Sequence, residues 1–134
     1  NSVSIGTGEQ RVTAFIDPNC PPCLEVIRQA QALQDDYTFT FIVVPALGTE
    51  SSHQQAKKVH CAQNKDDVIP ALPSKSLNSL KTQPNCNTAV YDMTLLFTDM
   101  AGVNGVPFLV SPEGYILRGQ PIDMKAWLAD PSYD

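Results

Sequence analysis

The chain has 134 residues, 43% of them hydrophobic, and a net charge of -5. That length supports one core and not two, so a single domain over 1–134 is expected. Charges of both signs are interspersed, which leaves no basic patch for nucleic acid and no polybasic run for an anionic membrane. The longest apolar candidate, Phe39 to Leu47, falls short of the roughly 20 residues that a bilayer span needs and contains Pro45, so a soluble protein is expected. The chain opens at Asn1 with neither Met nor a signal-like apolar segment, the pattern of a processed mature protein or an excised domain.

In chain order, the apolar stretch Arg11 to Ile16 predicts a strand, and Asp17-Pro18-Asn19 a turn. A helix follows, opening around Pro21 and Pro22, where proline is tolerated because first-turn amides lack intrahelical partners. Leu24, Ile27, Ala30 and Leu33 fall close to one face of it, and Asp35-Asp36 ends the pattern. Thr38 to Val44, rich in β-branched and aromatic residues, predicts a strand covered on both faces. Together these form a βαβ unit with its two strands parallel and the helix N-terminus at their carboxyl edge.

A second helix is expected from Ser51 to about Gln63, opened by a capping box of Ser51 and Gln54. Beyond a stretch rich in Pro, Ser and Asn (Ile69 to Asn85), Asn87 is the expected N-cap of a helix over Thr88 to Ala101, with Gly102 as a left-handed stop. Residues 46–101 thus read as a helical insertion. The remainder predicts a hairpin, Phe108 to Ser111 and Tyr115 to Arg118 around Pro112-Glu113-Gly114, and a closing helix from Ile122 to Ala129.

The four cysteines divide by spacing. Cys20 and Cys23, in Cys20-Pro21-Pro22-Cys23, stand at the start of the first helix. Helix-end amides favour a thiolate there, and the thiolate is the form that attacks disulfides. Cys20 is expected to be the exposed nucleophile and Cys23 the thiol that resolves its mixed disulfides. Neither proline between them can donate a backbone hydrogen bond, so the Cys20 thiolate would rest on the helix end and the Cys23 amide. Cys61 and Cys86 bracket a segment with few large apolar residues, which a structural disulfide would tether; two buried free thiols are the alternative. Closing that loop contributes roughly 3.5 kcal/mol on the chain-entropy estimate, and a permanent bridge implies an oxidising compartment.

The order β-α-β, helical insertion, β-β-α, with Cys-x-x-Cys on the first helix, resembles the thioredoxin fold. Gly102-Val103-Asn104-Gly105-Val106-Pro107 matches the place of that fold's cis-proline loop. The resemblance implies that Val106 and Pro107 face the dithiol, with the Val106 backbone free to pair with an extended substrate. Val106, Pro107, Pro21 and Pro22 are therefore the expected substrate-binding residues. More closely, Val12 to Cys23, Cys61-Ala62-Gln63-Asn64-Lys65, Cys86 and Gly102 to Pro107 resemble the catalytic domain of bacterial periplasmic disulfide isomerases of the DsbC/DsbG type. In that family the second cysteine pair is a structural disulfide, the location is periplasmic, and the substrates are proteins with thiols or disulfides. Electrons pass to or from a membrane partner that the sequence does not name, and no metal or organic cofactor is needed beyond the redox-active disulfide.

Three features depart from that family. Its members carry an N-terminal dimerisation domain for which there is no room before Arg11, so a monomer is expected of this chain, or a dimer if such a domain precedes it. Val106 stands where DsbC-like proteins usually have threonine and DsbA-like oxidases valine. Both residues between the cysteines are proline. In addition, the buried carboxylate that serves thioredoxin as a proton shuttle would fall at Ala14, so that shuttle is absent; Asp17 is expected to shape its turn. His53 and His60 are expected at the surface. Two alternatives from other classes are a zinc module using Cys20, Cys23, His60 and Cys61, and a redox-inert peptide binder using the groove around Val106.

Overall fold

The structure, a computed structural model, describes residues 2–72 and 76–131. Five strands form one mixed sheet in the order β1-β3-β2-β4-β5: β1 (Ser2–Gly6), β2 (Gln10–Ile16), β3 (Tyr37–Val43), β4 (Phe108–Val110) and β5 (Ile116–Arg118). β2 runs parallel to β3, Val12 opposite Phe39 and Ile16 opposite Val43, and antiparallel to β4, Phe15 opposite Phe108. Helix α1 (Pro21–Ala32) connects β2 to β3. Between β3 and β4 lie α2 (Glu50–His60), the short α3 (Val68–Ala71) and α4 (Ala89–Met100), and α5 (Met124–Ala129) closes the described chain.

Alternation along the strands divides the core. Val12, Ala14 and Ile16 of β2 and Phe39, Phe41 and Val43 of β3 face a large cluster with α1, α2 and α5. Phe15 turns the other way and packs with Val44 and Phe108, its ring edge-on to Phe108 at 5.8 Å between centroids. On α1 the buried face is Cys23, Val26, Ile27 and Ala30, one residue round from the face expected; Leu24 and Leu33 are only half buried. Cys23 is thereby part of the core.

β1 is absent from the sequence reading. Its five residues hold only Val3 and Ile5 as large apolar positions, and its place comes from antiparallel pairing with β3, Val3 opposite Phe41. Gly6 and Gly8 let this segment pass the α1–β3 turn. A Cβ at Gly6, which sits at φ +99°, would stand 2.2 Å from the Tyr37 carbonyl oxygen, and one at Gly8 2.1 Å from that of Asp36.

Helix α2 starts earlier than expected because Thr49, not Ser51, is its N-cap: the Thr49 hydroxyl accepts from the Ser52 N–H at 3.0 Å. It stops at His60 rather than Gln63, where the backbone turns to pair Ala62 with Thr82 and the Cys61 carbonyl accepts from the Gln83 N–H at 2.8 Å. The following stretch is better anchored than its composition suggests, since Ile69, Leu72 and Leu77 are buried in the main core. Asn87 lies one position before the N-cap of α4 and its side chain accepts from the Ala89 N–H at 2.9 Å. Gly102, at φ +82°, ends that helix as expected. α5 begins two residues later than predicted, capped by Asp123, and leaves Ile122 fully exposed.

Candidate active site at the start of the first helix

Cys20 occupies the N-cap of α1 with extended backbone, φ -100° and ψ 108°, and its sulfur accepts from the Cys23 N–H at 3.2 Å. The two cysteines form a disulfide with their Cα atoms 5.2 Å apart. Pro21 and Pro22 fill the first two helical positions and are exposed. The amide at Cys23 is thus the first that the helix start offers to the sulfur.

Across from the dithiol the Val106 carbonyl oxygen lies 3.9 Å from the Cys20 sulfur. The Val106–Pro107 peptide is cis. Pro107 is buried and its carbonyl accepts from the Gly119 N–H at 2.8 Å, which ties this loop to the end of β5. Val106 is half buried and touches both core clusters. Under this wall Cys20 is only 4% exposed, so the exposed sulfur expected from the sequence is in fact covered in the disulfide form. A carbonyl at this position is an acceptor for a Cys20 thiol once the bond is reduced.

The turn before Cys20 is fixed by Asp17, which is fully buried. One carboxylate oxygen accepts from the Asn19 N–H and from the Ser52 hydroxyl, each at 2.9 Å, and the other accepts from the Leu47 N–H at 2.9 Å. Asn19 adds bonds from its amide to the Ser51 and Ser52 hydroxyls at 3.3 and 3.1 Å. Asp17 therefore shapes its turn, as expected, and also locks it to α2. Ala14 is buried among apolar side chains, leaving no carboxylate at the thioredoxin shuttle position. Beyond Asp17 stands Tyr91, whose buried hydroxyl has no hydrogen-bond partner among the described residues; burial, then the charges of Asp92 and Asp17, push this phenol above its usual range.

A pocket of about 220 Å³ opens beside the helix start, lined by Pro18, Pro21, Leu24, Gln55, Leu72 and Leu77 among others. Pro21 was expected at a binding surface; the α2 and insertion residues opposite it were not, because only the tertiary fold brings them there.

Cys61 and Cys86 are joined by the second disulfide, Cα atoms 5.6 Å apart. His53 is exposed, but His60 is half buried: its Nε2 lies 2.9 Å from the Asn87 carbonyl and its ring packs on Tyr91. The zinc set Cys20, Cys23, His60 and Cys61 is not assembled. Among the described residues the side-chain group with metal-ligand spacing is His60, Cys61 and Cys86, whose two sulfurs are bonded to each other and are not thiolate ligands. No helix among the described residues is long and apolar enough to cross a membrane.

No protein-family model matches the chain, and no curated protein sequence matches it. Solved structures do. A disulfide interchange protein from Neisseria gonorrhoeae superposes with a TM-score of 0.78 at 21% identity, over 99% of this chain and 96% of that one. The catalytic domain of Proteus mirabilis ScsC gives 0.62 at 17% identity, over 98% and 88%. The thiol-disulfide exchange protein alpha-DsbA2 from Wolbachia pipientis gives 0.65 at 15% identity, over 97% and 85%.

Proposed function

We propose that the chain, an α/β domain of thioredoxin-like fold with helices inserted between its βαβ and ββα halves, is a thiol-disulfide oxidoreductase acting on protein disulfides through Cys20 and Cys23, of the isomerase or reductase type. The observation that carries this reading is the Cys20–Cys23 pair at the N-terminus of α1 with the Val106 carbonyl 3.9 Å from the first sulfur.

In the reduced protein the Cys20 thiolate attacks one sulfur of a substrate disulfide, forming a mixed disulfide and releasing the other substrate sulfur as a thiolate that takes up a proton. The buried Cys23 then loses its proton and displaces the substrate, which leaves reduced with both electrons, while Cys20–Cys23 closes as a disulfide. An isomerase lets go before that second displacement: the released substrate thiolate opens another of the substrate's own disulfides, and the thiolate so freed attacks the mixed disulfide, forming a new substrate disulfide and releasing the Cys20 thiolate unchanged. Val106 and Pro107 form one wall of the site and Pro21 and Pro22 the other, with the Val106 backbone the pairing edge for an extended substrate. The redox-active disulfide is the only cofactor this chemistry requires. Turnover needs a dithiol or disulfide partner, for which a membrane protein of an oxidising compartment such as the bacterial periplasm is the source we infer.

An oxidase direction is the second reading, favoured by Val106 in place of threonine. The Cys20–Cys23 reduction potential against glutathione separates the two: a value toward about -270 mV indicates a reductase and one near -120 mV an oxidant. Insulin-reducing activity that survives Cys20→Ser would remove the proposed nucleophile from either scheme.

A further inference from the structure

Helix α4 turns one apolar face to solvent. Val90, Met93, Leu96, Phe97 and Met100 are between 61% and 78% exposed, and steps of three and four residues place them on one side of the helix. The opposite side is spent on the core, through the buried Tyr91 and Thr98 and the partly buried Leu95. Single exposed apolar residues need no explanation, but five on one helix face form a contiguous patch. The only charges on α4 are Asp92 and Asp99, seven residues apart and flanking this stripe.

We propose that this face is a docking track for the substrate polypeptide: an unfolded segment with apolar side chains and flanking Lys or Arg lies along α4 while its disulfide engages Cys20. The inference rests on the thiol-disulfide reading and names the substrate class for it. Continuity with the site supports it. Leu96 and Asp99 share a groove with Pro45, Val103 and Asn104, and that loop runs on to Val106, whose carbonyl faces the Cys20 sulfur. Two flexible, polarisable Met side chains suit a surface that must accept varied sequences. The acidic flank selects the occupant. A second copy packed antiparallel on this face through a two-fold axis would bring the two acidic flanks together, Asp92 of each copy beside Asp99 of the other, whereas a cationic segment complements them.

The test uses the full chain kept reduced by an excess of a small dithiol, its double variant Phe97→Ser/Met100→Ser, and two disulfides, glutathione disulfide and an unstructured peptide with one disulfide flanked by leucines and lysines, with rates taken above the uncatalysed reaction with the dithiol. Expected is an unchanged rate with glutathione disulfide, and a KM for the peptide raised at least fivefold in the variant with kcat unaltered. With the wild-type chain, exchanging the peptide's lysines for glutamates raises KM similarly at low salt. An unchanged peptide KM in the variant, with glutathione disulfide still turned over, overturns the docking track alone. Failure of the wild-type chain to react with glutathione disulfide instead overturns the activity on which it rests. Sedimentation showing a wild-type dimer that the double variant dissolves would assign the face to a second copy and overturn the proposal.

Discussion

The Ser52 hydroxyl donates to the Asp17 carboxylate at 2.9 Å and so pins the first turn of α2 to the turn that precedes Cys20. With the Leu47 and Asn19 amides this gives a fully buried carboxylate its donors from three separate points of the chain. Asp17→Asn would turn an amide NH2 toward at least one N–H or O–H donor that the carboxylate now satisfies. Hydrogen bonds to a charged group contribute about 1.5–3 kcal/mol each, and an orphaned buried donor costs a similar amount. The variant should lose about 3 kcal/mol in urea unfolding with an unchanged m-value, and a loss below about 1 kcal/mol would show that the clamp is not holding the turn.

The Cys61–Cys86 bridge closes a loop of 25 residues on a segment that also buries Ile69, Leu72 and Leu77. Chain entropy sets its contribution at about 3.5 kcal/mol, and the apolar anchors mean that the segment keeps its place without it. The double variant Cys61→Ala/Cys86→Ala should therefore fold, with stability lowered by about 3 kcal/mol and the Cys20–Cys23 potential unchanged. A potential that moves with this bridge would make it part of the redox site.

What was legible in the sequence follows from range. β2, α1, β3 and the closing hairpin were readable because alternation, Pro at the helix start and Gly at turns act over a few residues. β1 was not, because two apolar residues in five are a weak signal and its pairing with β3 lies more than thirty residues away. The N-cap of α2 fell on Thr49 rather than Ser51 because Ser51 is drawn to the Asn19 side chain, a contact that only the tertiary fold creates. At the site, the positions of Cys20, Cys23, Val106 and Pro107 were legible from their motifs. The cover over Cys20, the donors to Asp17 and the burial of His60 all come from other elements and leave no local trace.

Tyr91 offers a pH-dependent test. Its hydroxyl is buried with no partner among the described residues, so Tyr91→Phe removes a desolvated polar atom and should raise stability at neutral pH by about 1 kcal/mol. Its phenol pKa is raised in the fold by burial first and by the Asp92 and Asp17 charges next, whereas the unfolded chain ionises near the ordinary value of about 10. Below that value both states are neutral and the group gives no slope. Above it the unfolded state releases its proton first, so stability falls as pH rises through 10 toward the folded value. The Phe variant should lose that component of the alkaline slope in guanidinium titrations between pH 9 and about 11; identical slopes would place the alkaline sensitivity elsewhere.

Pro22 stands at the second helical position, where a residue with an N–H would direct it at the N-cap sulfur. In its absence the Cys23 amide, 3.2 Å away, is the donor that the helix start supplies to Cys20. Pro22→Ala adds one backbone donor and keeps the helix, since alanine is the strongest helix former. In the reduced protein a further hydrogen bond to the Cys20 thiolate stabilises the dithiol form over the disulfide, so the protein becomes more oxidising. One such bond, taken at about 1.4 kcal/mol, corresponds to about 30 mV for a two-electron couple. Equilibration with glutathione should show a rise of that order, accompanied by thiolate absorbance that persists to lower pH than in the wild type. A potential that stays put or falls would mean that the new amide does not reach the sulfur, and that the prolines set the rigidity of the turn rather than the energy of the thiolate.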